Sequence, residues 1–186
     1  MVRGHAHERL RAETHALHRL LDSRLDLSTL SDPPGYLKLL LSNWPVVAIE
    51  QALENAGIRR LLPDWSRRRR RAALVSDLEE LGASLPSVQE ISTASDDGTL
   101  LGWSYVLEGS RLGAHAIAGA INRRANEKIL SATRFLRHGV GEHLWDSYKA
   151  VLASIDGDPA AILKACTGAE AAFECFLTAA CAPGQR

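Results

Sequence analysis

The chain has 186 residues, of which 46% are apolar and 5% aromatic, and its formal net charge is zero. That length suits a single domain spanning 1–186 with a sizeable core, and a neutral chain is no general binder of nucleic acid or other polyanions. The three cysteines, Cys166, Cys175 and Cys181, are odd in number and form no CxxC pair, which argues against a disulfide scaffold or a zinc ribbon.

Ala and Leu dominate and strand formers are scarce, so the fold class read from the sequence is all-α. The first helix is expected over about 6–24, with Leu10, Leu17, Leu20, Leu21 and Leu25 at helical spacing. A turn follows, in which Ser31 or Asp32 caps a helix over about 34–56 and Pro45 bends or divides that helix. Gly57 stops it. A third helix is expected over about 66–81, opening with the five arginines Arg67, Arg68, Arg69, Arg70 and Arg71. Five consecutive residues point all round a helix, so they make no groove-reading stripe, and a solvated face is the expectation. A polar connection over 82–97 leads to a central helix over about 98–122.

A shorter helix is expected over about 126–137, another over 142–155, and a last one over 159–180 behind the turn made by Asp156, Gly157 and Asp158. The tail 182–186 reads as frayed. About seven helices result, in one bundle. Trp44, Trp103 and Trp145 are expected in the core, and Cys166 and Cys175 as buried, inert thiols. The charged N-terminus carries no signal-peptide pattern, and no segment reaches the length of a membrane span, so no membrane contact and a cytoplasmic location are expected.

Two places carry chemistry. The stretch 105–117 (YVLEGSRLGAHAI) is helical by its apolar spacing yet holds Gly109 and Gly113 four residues apart. Each glycine disfavours a helix by roughly 1 kcal/mol relative to alanine. At that spacing both lie on one face, which is bare enough for another helix or a flat ligand to reach the backbone. Ser110 between them can bond back to the helix and bend it. The stretch 10–22 (LRAETHALHRLLD) holds His18, with Asp22 one turn on, the arrangement by which a carboxylate orients a metal-bound imidazole. His15 is the rival ligand one turn earlier.

Residues 105–113 closely resemble the distal-helix motif of bacterial biliverdin-producing heme oxygenases, and residues 10–18 resemble their proximal segment. Residues 134–145 (RFLRHGVGEHLW) and 171–176 (AAFECF) are similar to later parts of the family pattern, in the same order. The resemblance implies a heme oxygenase-like bundle with heme held between a proximal helix and a kinked distal helix. It implies His18 as axial iron ligand, oriented by Asp22, and Gly109, Ser110 and Gly113 as the distal wall. Tyr105, Arg11 and Lys149 would meet the propionates or the water network at the pocket edge.

The reaction implied is oxygen-dependent opening of heme to biliverdin, ferrous iron and carbon monoxide. Heme would be both cofactor and substrate. Electrons would come from an external donor of the ferredoxin, flavodoxin or reductase type, since no flavin or nicotinamide fingerprint is visible. The product would serve a phytochrome-type photoreceptor or iron acquisition, and the protein would act as a monomer. Arg111 departs from the family pattern, where a small polar residue is common, and so does His115, which as a second axial ligand would block oxygen. Two other readings stand beside this one. One is a heme sensor or carrier of the same fold without turnover. The other is an all-α interaction domain in which Gly109 and Gly113 pack helices.

Overall fold

The structure is a computed structural model that describes residues 5–121 and 127–181. Asn122 and Asn126, expected as helix boundaries, the tail 182–186 and the Cys181 side chain lie outside the described residues, as do residues 1–4 of the charged N-terminus. All regular structure in the described residues is helical.

Three long helices make the frame: α1 (His5–Asp22), α6 (Asp97–Ile121) and α10 (Pro159–Cys181). Helix α10 is the spine against which both others pack. Its start is set as the sequence dictates, with Pro159 in the first turn and Asp158 Oδ1 accepting from the amides of Ala160 and Ala161 at 3.0 and 3.1 Å. Helix α6 lies close because glycines remove the side chains between the two backbones: a Cβ on Gly98 would stand 2.4 Å from the Ala161 carbonyl, and one on Gly168 2.7 Å from the Thr99 carbonyl. Helix α1 follows the same spine in the same sense. The Ala6 amide donates to Asp156 near the start of α10, the His18 ring meets Phe173 edge-on, and Arg24 donates to the Leu177 carbonyl near its end.

The shorter helices close the bundle. Pro45 does divide its helix, into α2 (Pro33–Ser42) and α3 (Pro45–Asn55), and Gly57 follows in the left-handed conformation at φ 85°. Asp32 occupies the N-cap of α2 without a side-chain bond.

Two further divisions depart from the sequence expectation. The third helix is broken into α4 (Trp65–Arg68) and α5 (Arg71–Glu80), and the helix after α6 into α7 (Glu127–Ser131) and α8 (Arg134–Arg137). Each restart is capped by a buried carboxylate from a distant helix. Glu50 of α3 accepts from the amides of Arg70 and Arg71 at 2.8 and 3.2 Å, and Asp77 of α5 accepts from those of Arg134 and Phe135 at 3.1 and 2.7 Å. The orphan amides at a helix start attract an anion wherever it comes from, so no local capping signal marks these breaks. Helix α9 (Leu144–Leu152) ends in a 3-10 turn over Ala153–Ile155. Ten α-helices therefore occupy the described residues, the excess over seven coming from the three divisions.

The expectation of a solvated arginine run is overturned. Arg68 is 2% exposed and Arg70 1% exposed, both turned inward behind α6. Trp103 is in the core, whereas Trp44 and Trp145 are half-buried against it. Cys166 is buried and Cys175 half-buried, and burial raises both thiol pKa values, which keeps them protonated and unreactive. Leu20, placed by its spacing on the apolar face of α1, is exposed. No helix among the described residues is long and apolar enough to cross a membrane.

Candidate functional site

Helices α1 and α6 come together at Thr14 and Tyr105. The meeting point is the hydrogen bond between the hydroxyls of Thr14 and Tyr105, on which Arg11 also acts electrostatically. One turn past Thr14 stands His18, and one turn past Tyr105 stands Gly109. A Cβ on Gly109 or on Gly113 would meet nothing within 4 Å. This pair therefore does not pack helices within the fold. That task belongs to Gly98 and Gly102, earlier in the same helix, and the pair at 109 and 113 faces open space.

On α1 the His18 side chain is 63% exposed, with Phe173 of α10 beside it at a ring separation of 6.0 Å. Its Nδ1 lies 2.9 Å from Asp22 Oδ2. That commits Nδ1 and leaves Nε2 as the nitrogen for a metal. His15 is also exposed and has no such carboxylate partner. Among the described residues no group of three His, Cys, Asp or Glu side chains could hold a bare metal ion. A single imidazole suits an iron that brings its other equatorial ligands with it. The glycine face of α6 has nothing within 4 Å of either Cβ position, so the residues present fit heme.

A basic and aromatic cluster closes one end of the cleft. His7, Arg11, Thr14 and His18 recur on one stripe of α1. The His7 ring packs edge-on against Trp145 at 5.6 Å and tilted against Tyr105 at 6.2 Å. Burial, then Lys149, then Arg11 lower its pKa, with Glu8 opposing. Three of the expected edge residues, Arg11, Tyr105 and Lys149, thus gather around a histidine that sequence reasoning missed. The stripe spacing was the signal for it. Lys149 is held by Asp146 at 3.0 Å, and burial raises the Tyr105 pKa.

Ser110 is placed differently from its neighbours. Its hydroxyl donates to the Leu107 carbonyl at 2.9 Å and accepts from Arg70 Nη2, on the inner side of α6. Arg70 also donates to the Leu107 carbonyl at 3.1 Å and stacks over the Phe135 ring at 4.6 Å. Its Nε and Nη1 have no partner. Burial, then the charge of Arg111, pull its pKa to about 9, which still leaves it charged at neutral pH.

Next to it lies a buried ion network that sequence reasoning missed. Glu108, 1% exposed, accepts from Arg68 at 3.2 Å and from Arg111 at 3.3 Å. Arg68 continues to Asp64 at 2.7 Å, and Arg111 donates to the ring of His138 at 2.7 Å. The one hint in the sequence was an acidic residue inside an apolar helical run. His115 is bonded through Nε2 to the His138 carbonyl at 2.9 Å, which engages it away from the open face. Two surface grooves, of about 360 and 230 Å³, lie elsewhere, one beside Trp103 and Lys164 and the other beside Leu37 and Leu81. Neither is lined by His18, Gly109 or Gly113.

An exposed imidazole with a carboxylate behind it on α1 and a side-chain-free turn on α6 are the two features of this helical fold that suit a flat, metal-bearing ligand. The sequence profile described as heme oxygenase matches residues 5–180. A heme oxygenase from Xanthomonas campestris pv. campestris is 29% identical over 148 residues, covering 79% of this chain and 89% of that protein. The solved heme oxygenase from Neisseria meningitidis, studied with bound NO and CO, superposes with a TM-score of 0.74 at 23% identity, over 93% of this chain and 88% of that one. The chain belongs to the heme oxygenase family. Heme is the substrate of that family and O2 its co-substrate.

Proposed function

We propose that this chain opens heme to biliverdin, ferrous iron and carbon monoxide in the cleft between α1 and α6. The observation that carries this reading is the pairing of His18, backed by Asp22, with the open glycine face of Gly109 and Gly113. Bound heme supplies the iron that activates O2 and the ring that is opened. The chain supplies placement. His18 Nε2 would hold the iron, and the bond from Nδ1 to Asp22 fixes the ring's tautomer and orientation.

Gly109 and Gly113 let the α6 backbone approach the oxygen side without a side chain in the way. Ser110 serves the wall from behind, its hydroxyl fixed by Arg70. Arg11, Lys149 and Tyr105 gather positive charge and a hydroxyl around His7 and would receive the propionates there. Among the described residues no side chain comes within 4 Å of a Cβ on Gly109 or Gly113, so no acid stands directly on that face, which disfavours simple O–O cleavage and peroxidase chemistry.

Members of the family take electrons from an external donor. The donor proposed is a ferredoxin-, flavodoxin- or reductase-type protein, and the reaction serves a phytochrome-type photoreceptor or iron acquisition. The protein works as a cytoplasmic monomer.

The test is a hemin titration followed by reduction in air with catalase present. A saturable one-to-one complex whose heme absorption decays to biliverdin supports the reading. A stable complex that never opens its ring points to a sensor or carrier. No complex returns the protein to a helical interaction domain.

A further inference from the structure

The turn of α6 between Gly109 and Gly113 lacks support from the front. A face without side chains gains no packing there, and glycine loosens the backbone. Its position has to be fixed from behind.

Arg111, within that turn, supplies most of the restraint. It is 3% exposed. Its Nη2 donates to the Arg68 carbonyl at 2.7 Å and pairs with Glu108 at 3.3 Å, and its Nη1 donates to His138 Nδ1 at 2.7 Å. These partners belong to the end of α4, to α6 itself and to the loop after α8. One turn on, His115 bonds the carbonyl of the same His138. The loop lies so close that a Cβ on Gly139 would stand 3.4 Å from Arg111 Nη1 and 2.9 Å from Leu144. A planar guanidinium can serve three acceptors in fixed directions at once, and an ammonium cannot reproduce that fork. The arginine that stands where a small residue is common thus reaches behind the distal wall and does not obstruct it.

We propose that Arg111 is a positioning residue for the oxygenase reaction: with His138 it clamps the glycine turn of α6 to the end of α4 and to the loop after α8, and so sets how the bare face lies over the substrate iron. The inference rests on the heme chemistry proposed above.

The test compares the full-length wild type with R111S, R111K and H138A, each loaded with hemin and reduced by ascorbate in air with catalase present. Three readouts are taken: hemin affinity, the rate of ring opening, and the distribution of biliverdin isomers. R111S is expected to bind hemin within about threefold of wild type, to open the ring about tenfold more slowly and to broaden the isomer distribution, because small displacements of a remote support misplace reacting atoms. R111K recovers part of the rate, and H138A shows the same changes more weakly.

R111S with the wild-type rate and isomer pattern overturns the inference. If R111S fails to fold, H138A decides, and an unchanged rate and pattern there overturns it equally. A wild-type chain that binds hemin but opens no ring overturns the oxygenase reading and the inference together. Wild-type ring opening with unaffected variants overturns the inference alone.

Discussion

Gly102 lies so close to Ala165 that a Cβ on it would sit 2.0 Å from the Ala165 carbonyl oxygen. Two turns further along α6, a Cβ on Gly109 would meet nothing. One helix therefore uses the same residue spacing for two purposes, close packing on α10 and an open face on the cleft.

Replacing the two kinds of glycine by alanine should change stability in opposite directions. Gly102→Ala forces α6 away from α10 and should destabilise the fold by about 1–3 kcal/mol or more. Gly113→Ala, in an exposed helical turn, should stabilise the ligand-free fold by about 0.5–1 kcal/mol through its helix propensity. Its methyl group would project toward the cleft, so hemin turnover should fall. Urea denaturation of the two variants reads the sign, and hemin turnover reads the second effect. A Gly113→Ala variant with full turnover would remove that residue from the distal wall.

His18→Ala should leave the ligand-free protein within about 0.5 kcal/mol of wild type, because an exposed side-chain pair contributes little. The hemin complex should lose its axial imidazole signature and nearly all turnover. Asp22→Asn should keep the ligand and change its strength, shifting the absorption spectrum of the ferric complex. An unaltered spectrum in His18→Ala would mean that another residue, with His15 first in line, holds the iron.

Glu108→Gln tests the buried network. The carboxylate lies between Arg68 and Arg111, and its loss leaves Arg111 without a carboxylate partner and Arg68 with Asp64 alone. Breaking a buried pair from one side destabilises by about 3–5 kcal/mol. Chemical denaturation should show a midpoint drop of matching size with little change of slope. A drop no larger than that of a typical surface substitution would show that water reaches the network.

Stability should fall as pH drops from about 6.5 toward about 4, the interval between the usual and the folded pKa of His138. Burial lowers this pKa first, then the charges of Arg111 and Arg70, with Glu142 opposing and His115 adding. In that window the unfolded chain binds a proton that the folded chain refuses, so acid favours unfolding. The contribution is full above the upper limit and lost at the lower one. His7, whose pKa is also lowered, adds in the same direction. Urea midpoints measured across this range in wild type and His138→Gln check it. The variant should show a flatter dependence, and an equally steep one would assign the slope to other groups.

How much was legible in the sequence depended on how local the controlling interactions are. The all-helical fold, the division at Pro45, the stop at Gly57 and the start of α10 at Asp158 follow from residues that act within one turn of themselves. The His18–Asp22 pair and the shared face of Gly109 and Gly113 were equally readable, because helical spacing alone puts such residues on one side.

The breaks before α5 and α8 were not readable, because their caps, Glu50 and Asp77, come from other helices. Nor was the inward turn of Arg68 and Arg70. A run of arginines is neutral to its own helix, and Glu108, Ser110 and the Leu107 carbonyl, brought behind it by the packing of α6, join Asp64 in making burial of those charges tolerable. By itself the sequence determined which residues share a helix face. The tertiary structure decided which glycine pair meets a neighbour and which stays open, because that depends on where α10 runs beside α6.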